Sequence, residues 1–186
     1  MKMYLRLLRV LLAARRGAGL TLWDTAVTPF RVRLSDLDLQ RHMNNGTYLT
    51  IADLGRVDLM VRSGFWEQMR RRGWYPVVAS QSIRYRRSLR WRQRFEVHTR
   101  VLGTDGHSTY LEQVFPVGDT VCAEAMIRAR FLERGGGSVS QAELEQLVGE
   151  FPEDRELPSW VGPWAGQGRE GATSPTAPAA VERSER

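Results

Sequence analysis

The order of hydrophobic patterns along the chain predicts an α+β domain in which one long, largely apolar helix is covered by an antiparallel sheet. The helix is read from residues 45–63, where Tyr48, Ala52, Gly55 and Leu59 share a stripe and apolar surface spreads well beyond it. The sheet is read from one strand pattern before that helix and four after it. Tight turn signals, GTDG at 103–106 and Gly118-Asp119, join the later strands.

Each element follows from local chemistry. Residues 27–34 (VTPFRVRL) alternate as a first strand, and Pro29, which has no N–H to donate, places it at a sheet edge. In the helix, Asp53, Arg56, Asp58 and Arg62 interrupt the apolar surface at spacings that suit Asp53–Arg56 and Asp58–Arg62 pairs. The small residues on its stripe let a sheet approach closely. Gly64 ends it, and FWEQMRRRG forms a short second helix closed by Gly73. Strands follow over 77–85, 95–101, 108–117 and 120–132, each alternating apolar and polar positions. Gly135–Gly137 break the pattern, and Ser140-Gln-Ala-Glu143 is a capping box for a helix to about Val148. From Pro163 the Gly/Pro/Ala/Ser-rich sequence has no apolar period. The expected organisation is a basic amphipathic segment (1–22), one domain (23–160) and a structureless tail (161–186).

The net charge of +6 over 186 residues is carried by arginine, since Lys2 is the only lysine. Arginine's planar fork suits phosphate and carboxylate. A single cysteine, Cys122, excludes an internal disulfide and a cysteine-based zinc cluster. Residues 1–16 contain no acid; Lys2, Arg6, Arg9 and Arg16 share one helical face, with Leu5, Leu8, Leu11 and Leu12 largely opposite. The run is too short and too basic to span a bilayer. It fits a helix lying on an anionic membrane, a transit segment, or a helix packed on the domain. The expected location is cytoplasmic, with peripheral membrane contact through residues 1–16 left open.

The polar density lies in SDLDLQRHMNNGTYL, residues 35–49, just before the long helix. Asn44 or Asn45 serves as its N-cap. One cap does not need Asp36, Asp38, His42, Asn44 and Asn45 together. A helix N-terminus offers unpaired N–H groups and partial positive charge, and Gly46 leaves them unobstructed. Such an end can stabilise an oxyanion, and a carboxylate just before it can attack a carbonyl or activate water. The chemistry so described is acyl transfer, without a metal or other cofactor.

Those residues closely resemble a known signature. Asp38-x-Gln40-x-His42-Met43-Asn44-Asn45-x-x-Tyr48 is similar to the D-x-x-x-H-x-N-N-x-x-Y pattern of hotdog-fold acyl-CoA thioesterases. The thioesterase superfamily member 6 family shares SDLDL, HMNN and a similar RRSL…FEV stretch, over roughly residues 27–157. The resemblance implies the hotdog fold, a long central helix wrapped by a curved antiparallel sheet, assembled as a homodimer or dimer of dimers with sites near the interface. It implies hydrolysis of a fatty or aryl thioester of coenzyme A or an acyl carrier. Asp38 would be base or nucleophile, with His42 and Gln40 orienting it or the water. The N–H groups of Asn45 and Gly46 would face the carbonyl, with Asn44 and Tyr48 completing the substrate site. Gln40 stands where plant acyl-carrier-protein thioesterases have asparagine. The alternative is a catalytically weak or silent hotdog protein that binds acyl or lipid ligands at a membrane surface.

Arg84, Arg86 and Arg87 are candidates for coenzyme A phosphates, against the plainer reading of a charged edge that deters aggregation. Nucleic-acid binding is not expected, because no helix-turn-helix, zinc or RNP-type pattern accompanies the arginines. His98 and His107 form no metal-ligand spacing.

Overall fold

The computed structural model describes residues 2–149, 152 and 157–170. In chain order the elements are α1 (Lys2–Arg16), β1 (Ala26–Arg31), α2 (Asn45–Arg62), α3 (Phe65–Arg72), β2 (Trp74–Tyr85), β3 (Arg94–Thr104), β4 (Thr109–Val117), β5 (Thr120–Glu133), α4 (Gln141–Val148) and α5 (Val161–Glu170). One single-turn 3-10 helix, Leu34–Asp36, lies between β1 and α2. The five strands form one antiparallel sheet in the order β1-β3-β4-β5-β2. Both edges carry a proline, Pro29 in β1 and Pro76 in β2, where a missing N–H costs no ladder bond.

α2 buries Tyr48, Ile51, Ala52, Leu59 and even Gly55. With Val97, Val101, Phe115, Ala123 and Ile127 of the sheet, its apolar residues form the main core. Gly55 sets the helix-to-sheet distance. A Cβ there would lie 2.8 Å from Thr99 Oγ1, 3.0 Å from Val97 Cγ1 and 3.1 Å from Gln113 Nε2. The anticipated Asp53–Arg56 and Asp58–Arg62 pairs both form. Arg56 also donates to Gln113 Oε1 (2.7 Å), and Gln113 donates to the Ala52 carbonyl (2.8 Å) and to Thr99 Oγ1 (2.9 Å). This buried polar cluster is satisfied from several sides, as its burial requires.

The structure corrects one sequence expectation. Residues 161–170 are helical rather than structureless: Val161 and Ala165 pack with Tyr110 and Met126 against the sheet. The remainder of the expected tail, 171–186, lies outside the described residues. α1, for which the sequence leaves a membrane-bound, a transit and a packed helix open, packs on the domain with one arginine inward. Arg6 is buried while Leu5, Leu8 and Leu12 are exposed, and Val10 and Ala14 supply the inward apolar contacts. Arg6 is tolerated inside because it grips Asp36 with both terminal nitrogens, at 3.0 and 2.5 Å.

Candidate active site

The segment between β1 and α2 folds into a small hairpin that delivers the polar motif to the helix N-terminus. Leu37 and Met43 form an antiparallel bridge. Asp38 N–H donates to the His42 carbonyl (2.8 Å), and Arg41 N–H donates to the Asp38 carbonyl (3.1 Å). Arg41 takes a left-handed backbone (φ 63°), which closes the turn. Asp38 Oδ1 accepts the backbone N–H groups of Gln40 (2.9 Å) and His42 (3.2 Å), so the exposed carboxylate is fixed by its own loop. The sequence reading had Gln40 and His42 orienting Asp38 or the water; the hydrogen bonds they make to Asp38 come from their main chains. Gln40 is exposed and His42 half-buried.

Asp36 anchors the hairpin from below. Its side chain joins Arg6 and the Arg33 N–H, and its carbonyl accepts the Asn44 N–H (2.8 Å) and the Thr47 hydroxyl (3.4 Å). The first turn of α2 is therefore tied through Asp36 to α1, a long-range link with no sequence signal beyond an acid in a polar run.

Asn44 is the N-cap, and its side chain accepts the Gly46 N–H at 2.8 Å. That bond occupies one of the two N–H groups expected to face a carbonyl. The Thr47 N–H is turned to the Asn44 carbonyl (2.9 Å), which leaves the Asn45 N–H as the donor with no protein acceptor among the described residues. Tyr48 is 2 % exposed; its hydroxyl accepts the Leu89 N–H (3.1 Å), and its ring meets Tyr85 and Phe115 edge-on. Burial raises its phenol above the ordinary range. Tyr48 is thus chiefly a core residue, with one side on the site.

A cleft of about 170 Å³ opens at this helix end, lined by Met43, Asn45, Tyr48, Tyr85, Arg86, Arg87 and Ser88. It joins four of the expected residues: Asn45, Tyr48, Arg86 and Arg87. Asp38, Gln40 and His42 stand outside that lining, on the neighbouring hairpin. Arg84 does not belong to it; it borders a separate depression with Glu112, Glu124 and Trp160. Arg86 also pairs with Glu124 at 2.8 Å. Tyr85, which donates to the Asn45 carbonyl (3.1 Å), was missed in the sequence. Its only signal there was the alternation of its strand.

A second, mainly apolar cavity of about 250 Å³ lies further along α2, with Asp53, Arg56, Val57 and Met60 on one wall and Val77, Val78, Leu111 and Phe131 of the sheet opposite. Asp53 lies two turns beyond Asn45, about 12 Å at the helical rise. Burial lowers the Arg56 guanidinium's proton affinity, and Asp53 partly restores it. Among the described residues no group of three or more His, Cys, Asp or Glu could hold a metal ion.

The model of the Thioesterase-like superfamily matches residues 32–165, well over half of the chain and the whole of the site just described. The chain belongs to that superfamily. It is similar to Protein THEM6 of Xenopus laevis, 38% identical over 130 residues that make up 68% of this chain and 62% of the frog protein. It is 42% identical to Protein THEM6 of Danio rerio over 85 residues, 46% of this chain and 42% of that one. The chain therefore spans less than two thirds of these relatives. Among solved structures it resembles the probable thioesterase YbaW from Escherichia coli, with a TM-score of 0.61 and 25% identity over 66% of this chain and 98% of that one. The sheet order and the central helix are those of the hotdog fold, as the motif resemblance implied.

Proposed function

We propose that this thioesterase-like chain hydrolyses acyl-CoA thioesters, fatty or aryl, with the reaction at the N-terminus of α2. The observation that supports it most is the pairing of an exposed, loop-fixed carboxylate, Asp38, with a helix end whose Asn45 N–H is left without a protein acceptor. The thioester carbonyl oxygen accepts from Asn45, and the Gly46 N–H joins if the Asn44 side chain releases it. Asp38 either takes a proton from water as the water oxygen bonds the carbonyl carbon, or attacks that carbon itself. The C–S bond then breaks: in the first route the thiolate takes up the proton held by Asp38, and in the second water cleaves the aspartyl anhydride, freeing the acid and Asp38 and supplying the thiolate's proton. Gln40 and His42 bracket the reacting carboxylate, and Arg86 and Arg87, with Arg84 further out, are placed to meet coenzyme A phosphates. The same chemistry serves an acyl-carrier thioester.

The apolar cavity along α2 takes the acyl chain. Its sheet wall includes Val77 and Val78 of edge strand β2, whose outer side has no strand partner among the described residues and which exposes Tyr75, Val78 and Tyr85. Pairing of this edge with a second copy gives the homodimer, alone or doubled, and covers the cavity mouth. A panel of acyl-CoAs of graded length with a thiol-detecting readout tests the reading. Release of free thiol with a clear length optimum supports it, and no release from any member rejects it.

A second reading concerns location. Among the described residues no helix is long and apolar enough to cross a membrane. The outward face of α1, with Tyr4, Leu5, Leu8 and Leu12 exposed beside Arg9, Arg15 and Arg16, suits shallow insertion into an anionic surface. A catalytically silent lipid-binding protein would use the same face. Vesicle co-sedimentation that is lost in Leu5→Gln/Leu8→Gln supports the contact.

A further inference from the structure

Six arginines, Arg6, Arg9, Arg31, Arg33, Arg62 and Arg94, line one cleft of about 710 Å³ between α1, β1 and the C-terminal half of α2. Among its lining residues Asp58 is the one acid. Three of the arginines are engaged. Arg6 holds Asp36, Arg62 reaches Asp58 at 3.5 Å, and Arg31 Nε donates to the Arg92 carbonyl at 3.0 Å. Arg9, Arg33 and Arg94 make no ion pair among the described residues.

The arginines of α3 are arranged differently. Arg70 and Arg71 of α3 both pair with Glu67 on their own helix, at 3.0 and 3.1 Å, in full solvent exposure. In the cleft, arginines from separate elements converge instead. Burial, together with Arg6 and Arg9, lowers the Arg33 guanidinium's proton affinity, and Asp36 offsets only part of this. A guanidinium remains charged regardless, so the crowding is relieved by an anion rather than by proton loss. Val10, Val27, Pro29 and Phe30 line the same cleft, so the concavity has an apolar side for the organic part of a ligand. Its volume lies in the range of small-molecule sites.

We propose that the α1–β1 cleft binds a phosphate ester, its phosphate oxygens held by Arg9, Arg33 and Arg94 and its organic body resting on Val10, Val27 and Phe30. Arginine's fork matches phosphate oxygens in pairs, and the partners already committed to Arg6, Arg31 and Arg62 keep the walls fixed. Two sources carry this chemistry: a free nucleotide phosphate ester, separate from the thioester whose phosphates meet Arg86 and Arg87, and a phospholipid headgroup. The cleft is linked to the proposed active site through Arg6, which lines it and holds Asp36 at the base of the hairpin. Binding here does not require hydrolysis, so its test stands apart from that of the activity.

The test titrates the full chain with adenosine 3′,5′-bisphosphate by calorimetry, and in parallel with phosphatidylcholine vesicles with and without phosphatidic acid by co-sedimentation. Arg33→Gln/Arg94→Gln removes two cleft arginines that lie off α1, and Arg70→Gln/Arg71→Gln serves as the charge-matched control. The expected result is saturable binding of one probe, weakened at least tenfold in the cleft variant and within twofold of wild type in the control. The probe that binds identifies the source. If the double variant does not fold, the exposed Arg94→Gln alone should weaken binding several-fold. No saturable binding of either probe, or equal loss in cleft and control variants, overturns the proposal.

Discussion

At its N-terminus α2 ends in water: Asn44, Asn45 and Gly46 are exposed, and the adjacent carboxylate of Asp38 is held by two loop N–H groups. Nearly three turns further on, the same helix is pressed against the sheet so closely that a methyl group at Gly55 would collide with Thr99 Oγ1 and crowd Val97 and Gln113, and its one guanidinium there is shut in with Gln113. In the proposed function the first region meets a substrate that arrives from outside. The second fixes the scaffold and frames the apolar cavity, so the two answer differently to substitution. Damage at the helix end should spare the fold, and damage at mid-helix should reach activity only through stability or chain-length preference.

The sharpest way to expose the difference is Gly55→Ala. It gains helix propensity but overpacks the contact with Thr99, Val97 and Gln113, where the closest approach is 2.8 Å. The expected net cost is about 2 kcal/mol, an overpacking cost near the top of its range less about 1 kcal/mol of helix propensity, read by urea denaturation. Tyr48 belongs to both regions, and Tyr48→Phe leaves the fully buried Leu89 N–H without its acceptor. A loss of about 1–2 kcal/mol is expected in the same assay.

Filling the cavity tests the mid-helix region as an acyl site. Val57→Phe should lower kcat/KM for long acyl-CoAs by about tenfold, roughly two methylenes' worth of burial, while leaving short ones near wild type. The smallest effect is expected away from α2 altogether. Burial acts to raise the Asp105 carboxyl, but hydrogen bonds from the Tyr110 hydroxyl and the His107 and Ser108 N–H groups, with Arg128 nearby, outweigh it and hold the carboxyl below its ordinary 3.8. A depressed folded-state value means that the contribution is fully present above pH 3.8 and fades as pH falls through the lower folded value. Because the group is partly exposed, the stability difference from Asp105→Asn should stay below about 1 kcal/mol and vanish in acid melts.

The same contrast explains what could be read from the sequence. The strands, the long helix and its two ion pairs were legible because each rests on period, turn chemistry or i,i+3 and i,i+4 spacing. The helix end was legible because its motif is contiguous. The apolar cavity draws residues from Leu22 to Val148, and no local pattern gathers them. Periodicity also cannot say which face of an amphipathic helix turns inward: a buried acid thirty residues away, Asp36, draws Arg6 in and leaves the leucines of α1 outside. The helix over 161–170 escaped because its Gly/Pro-rich composition argues for coil, whereas packing of Val161 and Ala165 on Tyr110 decides the outcome.

Asp38→Asn tests the central claim most directly. Asparagine keeps the Oδ1 that accepts from Gln40 and His42, so the hairpin should hold and the melting temperature should be unchanged. Turnover of the best acyl-CoA substrate should fall on the order of 10²–10⁴-fold. Hydrolysis at the wild-type rate by the folded variant would contradict the assignment of the reaction to this helix end.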